Sequence, residues 1–273
     1  MTRVLGRIWL RLLLGGVAVY AVVTVAALRT ENPKLLPSVL FLGAFIAPVV
    51  FVAWIAERLP GSEIPVTALA TCFLVGGLLG TAMASVLEYR VFRDLGRVPM
   101  GFVGLIEETV KLIVPLVFYV RGRPRGTAAG VLLGVASGMG FAAFETMGYG
   151  LVELRDAAFG LGPTEELLLS RSAAAPFGHG AWTGLVCGML WRERERTGRT
   201  VPGPRVALAF AVAVVLHAQY DDWAENAVLV SLVGLASLAL LLVLSRDVRR
   251  RTRPATPARP EPAPRPRPSR TPP

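Results

Sequence analysis

Residues 101–120 read GFVGLIEETVKLIVPLVFYV, an apolar stretch long enough to cross a bilayer that nevertheless carries Glu107, Glu108 and Lys111 near its start. A membrane helix needs about 20 predominantly apolar residues to span the hydrocarbon core. An ionisable side chain at that depth costs at least about 2.5–3.5 kcal/mol on insertion scales, so a cluster of them demands mutual compensation or a function. Working outward, the same apolar composition recurs along the chain. Of 273 residues, 53% are hydrophobic and only 18% charged, and the mean hydropathy is +0.54, which excludes an ordinary soluble protein. Windows of spanning length lie at 8–28, 35–56, 64–87, 101–120, 127–150, 167–191, 204–221 and 224–244. We therefore expect an all-α, polytopic membrane helix bundle of about eight transmembrane helices over residues 1–245, with its motif-bearing core at about 101–222. The first window follows Arg3, Arg7 and Arg11, but its apolar run exceeds the roughly 7–15 residues of a signal h-region, and we read it as a retained helix.

The charges follow this topology. Placing the N-terminus inside puts most of the 29 lysines and arginines in inner loops and tail, the excess expected of cytoplasmic segments. Both termini are then cytoplasmic. Arg90, Arg93 and Arg97 oppose the rule locally, as a half-span or interfacial helix around 88–100 would explain. The net charge of +10 thus reflects orientation and attraction to anionic lipid, and no aromatic-interleaved basic surface points to nucleic acid. Residues 246–273 are rich in Pro and Arg with almost no large apolar side chain, the composition of a disordered cytoplasmic tail. Arg, Ala, Gly and Pro abound while Lys is scarce, a bias of GC-rich bacterial genomes, so a bacterial cell membrane is the expected location. Cys72 and Cys187 fall inside apolar windows and read as small hydrophobes rather than a disulfide or zinc pair. Gly130, Gly134, Gly138 and Gly140 read as close helix packing in lipid.

Four further polar groups match the opening cluster. On a helix Lys111 reaches Glu107 at four residues and Glu108 at three. One ammonium neutralises one carboxylate, leaving the other to share a proton or find a second partner, a condition suited to general acid–base chemistry. Glu145 follows Phe141 by one turn on the same face. His179 is flanked by Gly178 and Gly180, with Thr183 one turn along as a hydrogen-bond partner. His217 and Asp221 are one turn apart, so the carboxylate can orient the imidazole; Asp222 is less well placed. Each alone has a bland reading: a boundary charge cluster, a helix-end glutamate, a packed histidine, an exposed pair. At 1.5 Å per residue, however, alternating helix directions bring all of them to one outer-leaflet layer, which implies a polar pocket opening toward the extracytoplasmic side.

Glu-Glu-x-x-Lys, Phe-x-x-x-Glu, a glycine-flanked His and His-x-x-x-Asp, in this order on separate membrane helices, resemble the PrsW family of intramembrane proteases. The match covers Glu107, Glu108 and Lys111, then Phe141 and Glu145, then His179, then His217 and Asp221. That family is similar to CAAX prenyl endopeptidases, bacteriocin-processing proteins and the scaffold subunit of γ-secretase. The resemblance implies a membrane-embedded peptidase that cuts a single-pass membrane protein, such as an anti-sigma factor, near the extracytoplasmic face. Catalytic roles then fall to Glu107, Glu108, His179 and His217, with Lys111, Phe141, Glu145 and Asp221 supporting them. In a metal-free version a glutamate activates water while histidines bind water or oxyanion. In a metal version, His179 and His217 with Glu108 or Glu145 hold zinc. No local His-x-x-x-His pair preorganises zinc, so no cofactor is the favoured expectation and zinc the alternative. A non-catalytic scaffold of the same fold and a proton-coupled transporter are the rival classes. The scaffold would tolerate loss of the glutamates retained here, and the transporter would show a broken-helix repeat.

Overall fold

Helices form over the apolar windows, and they stop where Pro or Gly interrupts the hydrogen-bond ladder. The computed structural model describes residues 7–59, 64–156 and 161–252, and among these no strand occurs. The helices are α1 (Ile8–Thr30), α2 (Leu36–Arg58), α3 (Val66–Leu95, with a π turn at Thr71–Gly76), α4 (Met100–Lys111), α5 (Ile113–Arg121), α6 (Thr127–Asp156), α7 (Leu161–Ala174), α8 (His179–Thr197), α9 (Pro204–Asp222) and α10 (Ala227–Thr252). Gly96 (φ +69°) and Gly122 (φ +73°) end α3 and α5 in the left-handed conformation that glycine adopts without a Cβ penalty.

Five helical stretches are long and apolar enough to cross a membrane: Ile8–Thr30, Pro33–Arg58, Val66–Leu95, Thr127–Asp156 and Ala227–Arg251. The protein is thus an all-α membrane protein, and these helices account for five of the eight expected windows; among the described residues the other three do not form single helices of that length and hydropathy. The windows at 101–120, 167–191 and 204–221 depart from the expectation for local reasons. The first is broken at Leu112, between α4 and α5. Pro115 has no N–H for the carbonyl of Lys111, its partner four residues back; Ser137 Oγ on α6 donates to that carbonyl at 2.7 Å instead. The second is interrupted by a 3-10 turn at Ala175–Phe177, containing Pro176, and by Gly178. Part of the second window belongs to the separate helix α7, which ends at Ala174 before this turn. The third is α9, whose apolar run gives way to His217, Gln219, Asp221 and Asp222 in its last two turns. Arg90 and Arg93, the local exceptions to the charge rule, belong to the final turns of α3 rather than to a separate interfacial helix. At the C-terminal end, α10 continues through Arg246 to Thr252, so helix replaces the first part of the expected tail; the remainder, 253–273, lies outside the described residues.

α6 is the central element, buried over 94% of its apolar window. Its glycines make that burial possible. A Cβ at Gly130, Gly134 or Gly138 would strike the backbone carbonyl of Cys187, Thr183 or His179 on α8, and one at Gly140 would strike the carbonyl of Phe73 in the π turn of α3. Without a hydrophobic driving force in lipid, such close backbone approach is a principal source of helix association. Gly104 acts similarly between α4 and α9: its Cβ position lies 2.9 Å from the Val214 carbonyl and 3.4 Å from His217 Cβ. Cys72 and Cys187 are buried and free. α7 is tied to α2 through Ser172 Oγ, which donates to the Gly43 carbonyl at 2.7 Å. α4, α7, α8 and α9 thus meet around one end of α6.

Candidate active site

Lys111 organises the centre. Its side chain is 0% exposed, and Nζ lies 3.0 Å from Glu107 Oε2, 2.8 Å from Glu108 Oε1 and 2.7 Å from His179 Nδ1. An ammonium has three N–H donors and no acceptor, so these three partners use its full capacity. Nζ also stands 4.2 Å from the Phe141 ring centroid, close enough for the ring face to contribute a cation–π attraction. Because Lys111 can only donate, His179 Nδ1 accepts. The neutral ring therefore carries its hydrogen on Nε2, an assignment made from the partners, and that nitrogen faces Glu145 Oε2 at 3.2 Å.

His217, 1% exposed, is oriented from the other side. Nδ1 lies 2.9 Å from Glu108 Oε1, and Nε2 lies 3.3 Å from Asp221 Oδ2 and 3.5 Å from Glu107 Oε2. The Trp182 indole stacks on the imidazole at 4.4 Å between centroids. Its Nε1 donates to Ser237 Oγ on α10 at 2.8 Å, which fixes the ring. Glu145 is held by Arg171 Nη2 at 2.7 Å, with the Arg171 guanidinium 4.2 Å from the Tyr149 ring centroid.

Every residue that the sequence nominates for the site joins this cluster, but in two groups. Glu107, Glu145, His179, His217 and Asp221 line a cavity of about 320 Å³. Glu108, Lys111 and Phe141 stand behind them, each less than 2% exposed. Two local readings change. Thr183 approaches Glu108 Oε2, at 3.5 Å, rather than His179; Asp222 is exposed while Asp221 meets His217. Trp182, Ser137, Arg171 and Glu88, which lines the same cavity, are absent from the sequence-based set. Arg171 lies inside the 167–191 window and Glu88 directly follows the 64–87 window, and that depth criterion is the signal that would have found them. Nothing in the sequence marks Trp182 or Ser137 as neighbours of His217 and Lys111.

Comparison with known protein families matches residues 64–245 to a model described as the PrsW family intramembrane metalloprotease. The chain belongs to this family. It is accordingly a membrane-embedded protease, and the match runs from α3 into α10, leaving α1 and α2 outside. No curated protein and no solved structure matches the chain.

The family description raises the question of whether these PrsW residues suit a metal. One ligand atom each from Glu107, His179 and His217 lie within 4.8 Å of one another. With zinc–ligand bonds of about 2.0–2.2 Å, tetrahedral donors stand about 3.3–3.6 Å apart. The Glu107 Oε2 to His217 Nε2 separation of 3.5 Å and the Glu107 Oε2 to His179 Nδ1 separation of 3.8 Å are near that edge. The donor types therefore suit zinc, and the two carboxylate–histidine separations approach its spacing. The carboxylate that joins both histidines is Glu107, in place of the Glu108 or Glu145 expected from sequence. Glu108 instead receives His217 Nδ1, the outer carboxylate contact typical of a histidine ligand. Lys111 competes for the site: its ammonium already sits against the same Glu107 Oε2 and His179 Nδ1.

Proposed function

We propose that the chain hydrolyses a peptide bond of a membrane-anchored protein, such as a single-pass anti-sigma factor, near the extracytoplasmic face, with Glu107 as the base that activates water. The observation that carries this reading is the different environment of the two adjacent glutamates: Glu107 lines the cavity, whereas Glu108 is held by Lys111 and His217 behind it. In this scheme Glu107 takes a proton from water as the oxygen attacks the scissile carbonyl. His179 Nε2–H, oriented by Lys111, offers a donor to the developing oxyanion, and so does His217 in its protonated form, with Nδ1–H held by Glu108 and Nε2–H near Asp221 and Glu107. Collapse of the tetrahedral intermediate breaks the C–N bond, and Glu107 returns the proton to the departing amine. Glu145, anchored by Arg171, keeps His179 in the tautomer that donates into the cavity.

We favour this metal-free scheme because Lys111 already supplies the positive charge shared by Glu107 and His179. The spacing of Glu107, His179 and His217 supports the second reading. Zinc held there would polarise the carbonyl and acidify water; Glu108 would still orient His217 through Nδ1, whereas Asp221 faces the Nε2 that would then be the ligand. The test is cleavage of a co-reconstituted single-pass substrate by wild type, Glu107→Gln and Glu108→Gln, with and without chelator, alongside the metal content of the purified protein. The glutamate scheme expects chelator-resistant cleavage that falls about 10²–10⁴-fold in Glu107→Gln, the usual contribution of a general base. Chelator inhibition reversed by zinc establishes the metal scheme, and full activity in Glu107→Gln refutes both.

A further inference from the structure

Glu88 lies on the last turns of α3 and lines the cavity, whose wall also includes Met100 and Val103 of α4, and no step above employs it. The other carboxylates facing the cavity are each met by a cationic or imidazole group of the chain: Glu107 by Lys111, Glu145 by Arg171 and Asp221 by His217. Glu88 Oε1 is shielded from solvent and has no hydrogen-bond partner. An acceptor kept from water without a donor loses the hydrogen bonds it would make in solvent, a cost recovered only when a donor arrives. Four carboxylates, Glu88, Glu107, Glu145 and Asp221, line the cavity with Arg171, His179 and His217, and Lys111 stands behind Glu107, so Glu88 is the carboxylate there left without a hydrogen-bonded partner among the described residues. Met100 and Val103 give the same lining an apolar part, a surface along which the methylene stem of a long basic side chain packs while its head reaches a carboxylate.

We propose that Glu88 is a specificity-determining residue that receives the ammonium or guanidinium of a substrate lysine or arginine close to the scissile bond. This rests on the protease reading of the cavity. An acidic substrate side chain at the same place meets like charge and is rejected, so the preference is for basic and against acidic residues.

The experiment uses the full-length protein in lipid nanodiscs and a fluorescent peptide series in which lysine, norleucine or glutamate is walked through the positions flanking the cleaved bond. Binding is read by fluorescence polarisation and cleavage in parallel. At one position wild type is expected to bind the lysine peptide about ten- to a hundredfold more tightly than the norleucine peptide, the range of a hydrogen bond to a charged group. Glu88→Gln removes that preference, with the loss in KM for the lysine peptide rather than in kcat, and Glu88→Arg shifts the preference to glutamate. Equal binding of lysine and norleucine peptides at every position, or no peptide binding, overturns the proposal. So does a Glu88→Gln variant that weakens all peptides alike, the pattern of a structural role. Lysine-selective, Glu88-dependent binding without cleavage of any peptide supports Glu88 and counts instead against the protease reading.

Discussion

Lys111 is the residue on which the site depends most, because three acceptors converge on one buried ammonium. Replacing it by methionine leaves two carboxylates without their counter-charge and His179 Nδ1 without a donor. Breaking a buried ion pair by removing one partner costs about 3–5 kcal/mol. Lys111→Met is therefore expected to lower the thermal unfolding midpoint markedly and to abolish cleavage, and an unchanged midpoint would mean that the carboxylates are neutralised elsewhere. Arg171 offers a contrast. Its side chain is 35% exposed, and an ion pair at such a site contributes only about 0.2–1 kcal/mol. Arg171→Gln should unfold close to wild type yet cleave more slowly, since Glu145 loses its anchor and His179 its fixed partner. Thermal scanning and turnover on the same preparation separate the two effects.

At the scale of elements, the site is built by close approach of α6 to α8 and α3. Gly138→Ala places a methyl group on the carbonyl of His179, and Gly140→Ala places one on that of Phe73. Overpacking of this kind costs about 1–3 kcal/mol, and because His179 itself is displaced the first substitution should reduce activity more than stability alone explains. Gly148 on the same helix has open space around its Cβ position, so Gly148→Ala is the matched control and should be neutral in both thermal scans and cleavage. The break between α4 and α5 makes a similar demand. With Pro115 unable to donate, Ser137 meets the Lys111 carbonyl. Ser137→Ala leaves that buried acceptor unmet at about 1–3 kcal/mol, which denaturation in mild detergent should register.

At the scale of the whole molecule, the cavity and its carboxylates gather at one end of α6, while the opposite end carries a basic network. There Arg194 donates to the Tyr119 carbonyl, Arg192 pairs with Asp247 and Tyr119 Oη donates to the Thr200 carbonyl at 3.1 Å. If the basic end is cytoplasmic, as the arginine bias proposes, a cysteine introduced at exposed Glu225 should react with an impermeant thiol reagent in intact cells. One introduced at exposed Arg121 should react only after permeabilisation. The reverse pattern inverts the orientation and with it the side on which substrate is cut.

Composition alone was sufficient for a helical membrane protein, because a bilayer admits no unpaired backbone and leaves helices as the solution for long apolar segments. The charged and imidazole residues were legible for the same reason: Glu107, Glu108, Lys111, Glu145, His179, His217 and Asp221 stand out against lipid-compatible surroundings, and their spacing on separate helices carries a shared depth. Partner choice was not legible. That Lys111 faces both glutamates and His179, that Thr183 turns to Glu108, and that Glu107 rather than Glu108 lines the cavity depend on how α4 rotates against α6, α8 and α9. Gly104 lets α4 approach α9 and Gly138 lets α6 approach α8, roles visible only once the opposing backbone is in place. Hydropathy, which averages over a window, also does not register the breaks at Leu112 and Gly178. The sequence by itself determined which residues are too polar for the membrane to leave unpaired; the tertiary structure decided which of them meet, because hydrogen bonds depend on direction and ångström-scale distance whereas transfer free energy depends on composition.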